Sequence, residues 1–361
     1  MIHQPIYLDY AATTPVHPDV LSAMLPYFTE IYGNAGSSSH LYGWRAAEAV
    51  EQSRNTVASY FQVKPAEVVF TSGATESINL GIRGYLQDKP KGHIITSALE
   101  HKAVLEVFHA LEREGWEVTY LTTVSELAKS FKPNTALVSL MLVNNELGSI
   151  LPYREVLELC EEKGVCFHSD ATQALGKMDL DMTALPHLIS FSGHKIYGPK
   201  GIGGLITRKS IKAISYGGGQ ERRLRPGTLP VPLIVGLSKA IEFIPLWLSR
   251  LPFYQASIDQ IKALLPLDNI NSPVNAVPSI LNFTVKGADW ERMFQVLNGL
   301  AFSNGSACNA KTELPSHVLK AVGRSDEDAL ASARFSLGFF TTEQEVERVC
   351  ELLTQNLPKL R

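Results

Sequence analysis

Lys195 lies in "SFSGHKIYGPKGIGG", residues 190–204, just past an apolar, strand-like run and flanked by Ser192, His194 and several glycines. A loop lysine is ordinarily a solvated amine. Here a strand delivers it to a sheet edge, and the glycines let backbone approach a ligand closely. A lysine that loses solvent there drops its pKa and becomes the amine that condenses with a carbonyl group. Cys308 poses a similar choice. It sits in "FSNGSACNAKTELPSH", residues 302–317, among types that favour turns. Most free cysteines are small buried hydrophobes. One on such a segment is placed for reactivity if an electropositive, partly exposed setting yields its thiolate. Cys160 and Cys350, in helical patterns, and Cys166, at a strand start, read instead as core residues.

A carbonyl cofactor of the pyridoxal phosphate (PLP) type needs three further parts: a phosphate cradle, an acid for the pyridine nitrogen and a partner for the ring. "TSGATES" offers the cradle, with Gly73, Ala74 and Thr75 opening a helix straight after a strand. The unpaired N–H groups and the positive dipole end of a helix attract phosphate. "FHSDATQALG" offers Asp170 at a strand end and Gln173 three residues on. A carboxylate there keeps a ring nitrogen protonated; alone, Asp170 reads equally as a helix N-cap. "EHKAVL" supplies His101 near a helix start, as a stacking group or acid/base, although an isolated histidine is more often structural. Each signal is weak alone. Their co-occurrence, in this order, is what carries weight.

The elements that must position these residues alternate along the middle of the chain. "EVVFTS", "HIITS", "EVTYL", "TALVSLMLV", "VCFHSD", "LISFSG" and "GGLITR" read as strands. "ATESINLGIRGYL", "EHKAVLEVFHALEREG" and "PYREVLELCEEKG" read as helices, with stops at Gly115 and Gly164. Such alternation predicts an α/β domain with a mostly parallel sheet and a ligand site where strands end and loops begin. After about residue 246 the pattern changes to a smaller α+β domain: strand "PSILNFTVKG", helix "WERMFQVLNGL", the Cys308 segment, strand-like "ASARFSLGFF" and helix "TTEQEVERVCELLTQNL". The expected division is a large domain over 15–246 and a small one from 1–14 and 247–361.

With 361 residues the chain is long for one core, and 45% apolar with 19% charged residues describes a globular protein. The net charge of -3 is scattered, which argues against a nucleic-acid arm or a membrane patch. The start, "MIHQPIYLDYAATTP", lacks the basic and apolar regions of a secretory signal, and the longest apolar runs are of strand length. Four cysteines without C-x-x-C spacing predict neither a disulfide framework nor a zinc site, and a cytoplasmic protein with reduced thiols is expected.

The whole set resembles a cysteine desulfurase of the class V aminotransferase family, on the PLP fold-type I frame. The stretches that carry the likeness are "YLDYAATTP", "VVFTSGATES", "EHKAVL", "VNNELG", "DATQALGK", "SFSGHKIYGPKGIG", "GGGQERRLRPGT", "SNGSAC" and "ARFSLG", in family order from residue 7 to residue 338. The resemblance implies that Lys195 holds PLP and moves the substrate α-proton. It implies that Ala74, Thr75, Ser192 and His194 bind the phosphate, and that Thr228 reaches the phosphate of a neighbouring subunit in a homodimer with shared sites. By the same likeness Asp170 meets the ring nitrogen, Gln173 the ring hydroxyl and His101 the ring face. Asn145 would lie beside substrate and cofactor, and Arg334 would clamp the substrate carboxylate with its planar fork. Cys308 would attack the sulfur of L-cysteine, keep it as a persulfide and release alanine. Small, polar neighbours would let Cys308 travel to an acceptor protein.

The chain departs from the family pattern in four places. Ala35 stands where Pro is usual, Gln220 where His is usual, and Arg223 and Pro226 where Gly and Ser are usual. No role follows for Arg223. The segment between Cys308 and "ARFSLG" keeps the long-loop length, whereas the chain ends at "NLPKLR", soon after its last helix, without the docking tail of housekeeping relatives. The expectation is therefore a dedicated acceptor, as in DNA or tRNA sulfur modification, rather than only general iron–sulfur assembly. Two alternatives compete: a selenocysteine lyase or another class V PLP enzyme, and a non-enzymatic sulfur carrier. An aminotransferase has no need of Cys308, and a carrier has no use for Lys195, Asp170, His101 and Arg334 together.

Overall fold

The structure, a computed structural model, describes residues 4–288, 290–304 and 314–360. Among the described residues eleven strands run in chain order: β1 (Ile6–Tyr7), β2 (Val68–Thr71), β3 (His93–Ser97), β4 (Glu117–Leu121), β5 (Thr135–Ser139), β6 (Cys166–Asp170), β7 (Leu188–Ser192), β8 (Gly203–Thr207), β9 (Ile280–Thr284), β10 (Leu300–Ala301) and β11 (Ser332–Ser336). The chain divides into two compact units. The larger holds Thr14–Leu142 and Leu151–Pro245; the smaller holds Met1–Thr13, Val143–Ile150 and Leu246–Arg361.

The larger unit is built on a seven-stranded sheet of order β2-β8-β7-β6-β5-β3-β4. Pairings from β4 across to β7 are parallel, and β8 runs antiparallel to both β7 and β2. The parallel part follows from crossover connections between successive strands, helical after β3, β4 and β5 and without a helix between β6 and β7. Strand β8 follows β7 with only a turn between, so it must return antiparallel. β2, β6, β7 and β8 are buried along their whole length, and polar residues among them such as His168 and Ser190 pair within the sheet. One face packs on the helix Ala74–Leu86, where Ile78, Leu80 and Ile82 meet Leu137, Leu188 and Leu205. Phe191 packs its ring 5.3 Å from that of Phe61, at the end of the long helix Leu41–Phe61.

Two buried histidines lie within this sheet. His168 on β6 contacts Ser139 Oγ of β5 at 2.8 Å and Ser190 Oγ of β7 at 3.0 Å. His93 on β3 lies 2.8 Å from Thr135 Oγ1 and 2.8 Å from Thr119 Oγ1. Each imidazole thus finds polar partners on both neighbouring strands, as a buried polar ring requires.

In the smaller unit β9 and β11 form an antiparallel pair and β1 runs parallel to β10. Phe283 and Phe335 meet edge to face at 5.0 Å in a core closed by Ile258 of helix Leu251–Lys262 and Val349 and Leu353 of helix Glu343–Asn356. Thr342 and Glu345 form a capping box at the start of the last helix. Residues 143–150, placed with the large domain on sequence grounds, cluster with this unit. Val143 bridges Ile150, and Asn144 Oδ1 accepts from the N–H groups of Glu146 and Leu147, closing a tight turn. Gly148 has φ 72°, and its carbonyl accepts from Val277 N at 2.8 Å. No single helix among the described residues is long and apolar enough to cross a membrane.

Candidate active site

In the larger unit the site residues gather at the carboxyl ends of adjacent strands. β6 ends at Asp170, whose register partner on β7 is Ser190, two residues before Ser192. Gly193–Lys195 then forms a 3-10 turn, closed by hydrogen bonds from Ile196 N and Gly198 N to Gly193 O. Thr14 clamps this turn: its N–H and hydroxyl donate to His194 O, and its hydroxyl accepts from Tyr197 N at 2.8 Å. The half-buried Lys195 has a second lysine beside it, since Lys177 Nζ donates to Lys195 O at 3.4 Å. Burial, with the nearby charges of Lys195, Lys200 and Lys177, pushes His194 down to about 4. At neutral pH it is an uncharged imidazole, able to donate one hydrogen bond without adding a further cation.

The helix Ala74–Leu86 begins at Gly73, whose φ of 152° no other residue adopts readily. A Cβ there would lie 3.6 Å from Ser192 Oγ, and a Cβ on Gly203 would lie 2.7 Å from Gly73 Cα. Gly203 at the start of β8 therefore lies so close to Gly73 that a side chain on it would collide with the backbone of the helix start. Thr71 Oγ1 donates to Gly73 O, and Glu76 accepts from Ser72 N and from Arg225 Nε, the latter at 3.0 Å. Its carboxyl falls below its usual range because these hydrogen bonds outweigh the opposing effect of burial. Arg225 so ties the segment leading to Thr228 onto the cradle helix. Thr228 itself is exposed, next to Gly227 at φ 110°.

Asp170 is buried, and one oxygen accepts from Thr172 N at 2.9 Å. Gln173 is buried next to it, and Thr172 Oγ1 is a buried hydroxyl with no hydrogen-bond partner. Glu100 accepts from Met141 N at 2.6 Å, and burial, reinforced by the Asp170 charge, holds its carboxyl well above the usual range. His101 caps the helix Lys102–Arg113: its Nδ1 accepts from Ala103 N at 3.1 Å, which leaves the ring proton to Nε2.

In the smaller unit Arg334 is almost fully buried at the middle of β11. Its Nη1 donates to Asn145 O at 2.8 Å and its Nη2 to Asp9 Oδ1 at 2.5 Å, while Nε–H has no partner. Asn145 Oδ1 is likewise a buried acceptor without a partner. A buried donor and a buried acceptor left open on contacting residues suit a small zwitterionic ligand, because orphaned polar atoms are costly otherwise. Cys308 lies outside the described residues. Sequence reasoning passed over Thr14, Lys177, Glu76 and Asp9; each works through a partner far along the chain, and no local pattern marks it.

The donor set fits PLP. A helix start opened by glycine, a strand-end carboxylate, an amine on a glycine-rich turn and the open Thr172 hydroxyl are the groups a phosphorylated pyridine aldehyde needs. The fold and these groups define a PLP-dependent enzyme of fold type I. Residues 6–349 match the model of the family described as aminotransferase class-V. The chain is 45% identical to a protein named cysteine desulfurase IscS from Cronobacter sakazakii, over 99% of this chain and 94% of that protein. A solved NifS-like protein superposes with a TM-score of 0.91 at 34% identity, covering 99% of this chain and 100% of that one. A structure described as SspA in complex with cysteine superposes with a TM-score of 0.81 at 38% identity, covering 93% of this chain and 100% of that chain. The chain belongs to the class-V aminotransferase family, whose members of this type depend on PLP, and falls among its cysteine desulfurases.

Proposed function

We propose that this protein takes the sulfur from L-cysteine, holds it as a persulfide on Cys308 and passes it to an acceptor protein, leaving L-alanine. The observation that carries the reading is the juxtaposition of Asp170, at the end of β6, with the lysine turn that follows its register partner on β7. PLP, when bound, supplies an electron sink that weakens the Cα–H bond of cysteine and makes its sulfur open to attack. Lys195 Nζ holds the cofactor and moves the proton at Cα. The N–H groups of Ala74 and Thr75, the Ser192 hydroxyl and the neutral His194 hold the phosphate. Asp170 would keep the ring nitrogen of the bound group protonated, Gln173 would donate to its ring oxygen, and His101, its orientation fixed by the helix cap, would face the ring.

Arg334 receives the substrate carboxylate and Asn145 lies beside the substrate. The Cys308 thiolate attacks Sγ: an S–S bond forms, the Cβ–Sγ bond breaks, and Cβ takes a proton as alanine leaves. The net change, cysteine plus a thiol to alanine plus a persulfide, balances without an external oxidant. Thr228 completes the phosphate site of a second subunit. In support of a homodimer, Leu21, Leu25, Phe28, Tyr32, Tyr42 and Trp44 expose their large apolar side chains within one short span of the larger unit. A cytoplasmic setting suits an enzyme that needs free thiols, and Cys160, Cys166 and Cys350 are unpaired. The acceptor belongs to a sulfur-using pathway such as DNA or tRNA sulfur modification or iron–sulfur assembly.

The test is to give L-cysteine and a reductant to the holoenzyme and follow sulfide and alanine. Cys308→Ala should keep the cofactor absorbance and lose persulfide; Lys195→Ala should lose both. Sulfide release at the normal rate from Cys308→Ala would sink the reading.

A further inference from the structure

Arg334 is held by a residue 325 positions away. Its backbone is fixed on both sides, by Asn282 across the β9–β11 ladder and by Ser303, with Ser303 N donating to Arg334 O and Arg334 N to Ser303 O. The chain between β1 and residue 13 is stapled along the same strand. Asp9 bridges Ser336, Ser336 N donates to Leu8 O at 2.7 Å, and Ala11 N donates to Ser336 Oγ at 2.8 Å. Tyr7 braces the turn from beneath, its hydroxyl directed at the carbonyls of Asp9 and Thr13, both at 3.1 Å. These contacts deliver the Asp9 carboxylate to Arg334 Nη2.

A guanidinium is planar, so anchoring Nη1 on Asn145 O and Nη2 on Asp9 Oδ1 fixes the plane and with it the direction of the open Nε–H. The Asp9 charge also compensates a cation that is almost fully buried when no substrate is present, a state that is otherwise strongly disfavoured. We propose that Asp9 is a positioning residue for the reaction: it pre-orients Arg334 so that the remaining N–H edge receives the α-carboxylate of the amino-acid substrate. The inference rests on the reading of Arg334 as the carboxylate clamp. Asp9 touches neither substrate nor cofactor in this scheme. It sets the affinity for the carboxylate and leaves the chemistry at Cα and Sγ alone.

The test uses the holoenzyme, L-cysteine kinetics and calorimetric titration with L-alanine and with L-alaninamide, which lacks the carboxylate. Asp9→Ala removes a charge-assisted hydrogen bond and should raise KM for L-cysteine by about ten- to a hundredfold, with kcat held within about threefold. It should weaken L-alanine by a similar factor and leave L-alaninamide unchanged. Asp9→Asn keeps an acceptor oxygen on Nη2 without the charge and should recover part of that loss. A purely structural role would weaken both ligands and lower kcat together, which would overturn the proposal, as would unchanged KM and L-alanine affinity in Asp9→Ala. If Asp9→Ala does not fold, Asp9→Glu decides. Its carboxylate, one methylene further out, should raise KM at least about fivefold with L-alaninamide unaffected, and wild-type KM there counts against the idea. Arg334→Lys separates the two readings, since a lysine cannot reproduce the fork. If it still prefers L-alanine to L-alaninamide as the wild type does, the clamp itself is wrong. If it loses that preference while Asp9→Ala keeps it, only the role of Asp9 is wrong.

Discussion

Replacing Glu221 with alanine tests the most heavily buried charge pair in the larger unit. Glu221 and Arg54 have side-chain exposures of 0% and 4%, and they pair in fork geometry, Nη2–Oε1 at 2.6 Å and Nη1–Oε2 at 3.0 Å. The same carboxylate accepts from Phe70 N at 2.7 Å, and Arg54 Nη1 also donates to Val68 O at 2.9 Å. Glu221→Ala therefore leaves Arg54 with only the exposed Glu51 as an ionic partner, at 3.1 Å from Nε, and strands a buried backbone N–H on β2, the strand that leads into the cradle helix. Breaking a buried pair from one side costs about 3–5 kcal/mol, and an unmet N–H adds about 1–3 kcal/mol. Together these exceed half the stability of an ordinary domain.

Glu221→Gln keeps an acceptor for Phe70 N and should stay at the lower end, near about 3 kcal/mol. Arg54→Met with Glu221→Met removes both charges and should recover at least about 2 kcal/mol relative to the sum of the single changes. Urea unfolding gives the global values. Amide exchange at Phe70 gives the local one, independent of whether the two units unfold together. A Glu221→Ala protein within about 1 kcal/mol of wild type, or strictly additive single changes, would refute the argument that this pair is isolated from solvent.

Arg223→Gly should stabilise the protein by about 0.5–1 kcal/mol, read by the urea midpoint. Glu221, Arg222 and Arg223 have φ of 46°, 55° and 68°, and Arg223 is exposed, so glycine relieves left-handed strain there at no packing loss. Gly73→Ala should lower PLP affinity by at least about tenfold in a spectroscopic titration, because a side chain strains the backbone at φ 152°. Burial holds His168 down at about 3, and burial with nearby cations holds His187 and His194 at about 4, below the ordinary value for histidine. The unfolded chain then binds more protons below about pH 6.5, so stability should be full above that value. It should fall as pH drops toward 4, by up to about 1.4 kcal/mol per pH unit for each histidine. Urea midpoints at successive pH values measure the slope. Burial pushes the Cys160 and Cys166 thiols up to about 12, so iodoacetamide at neutral pH should reach both only after unfolding, as peptide mass analysis will show.

The alternation of strands and helices in the middle of the chain was open to reading because each segment carries its own period. The predicted helix Ala74–Leu86 and the strands from Val68 to Thr207 follow the sequence pattern closely, apart from "TALVSLMLV", which leaves the sheet at Ser139. There Asn144 closes a turn five residues later, and a continuous apolar run gives no warning of it. The helix Leu41–Phe61 escaped notice because it buries Ser53 and Arg54 on its inner face, which blurs the apolar stripe. Arg54 is buried only because Glu221 meets it 167 residues later. Asp170 and Lys195 were legible because each stands next to a strand end. Asp9 and Thr14 were not, since their meaning depends on Arg334 and on the backbone of His194.

The smaller unit is assembled from both ends of the chain, and this orders events during synthesis. β1 has no strand partner until Leu300 and Ala301 have been made, and the Asp9 carboxylate no ion-pair partner until Arg334 follows. The larger unit ends at Pro245 and can close while the last third is still being translated. The N-terminal segment must wait, unpaired, for a loop closure that spans most of the chain, a slow kind of contact. A nascent or truncated chain can thus complete the sheet that bears Lys195 before Arg334 exists. The amine is ready first, and the residue read as the substrate clamp arrives last.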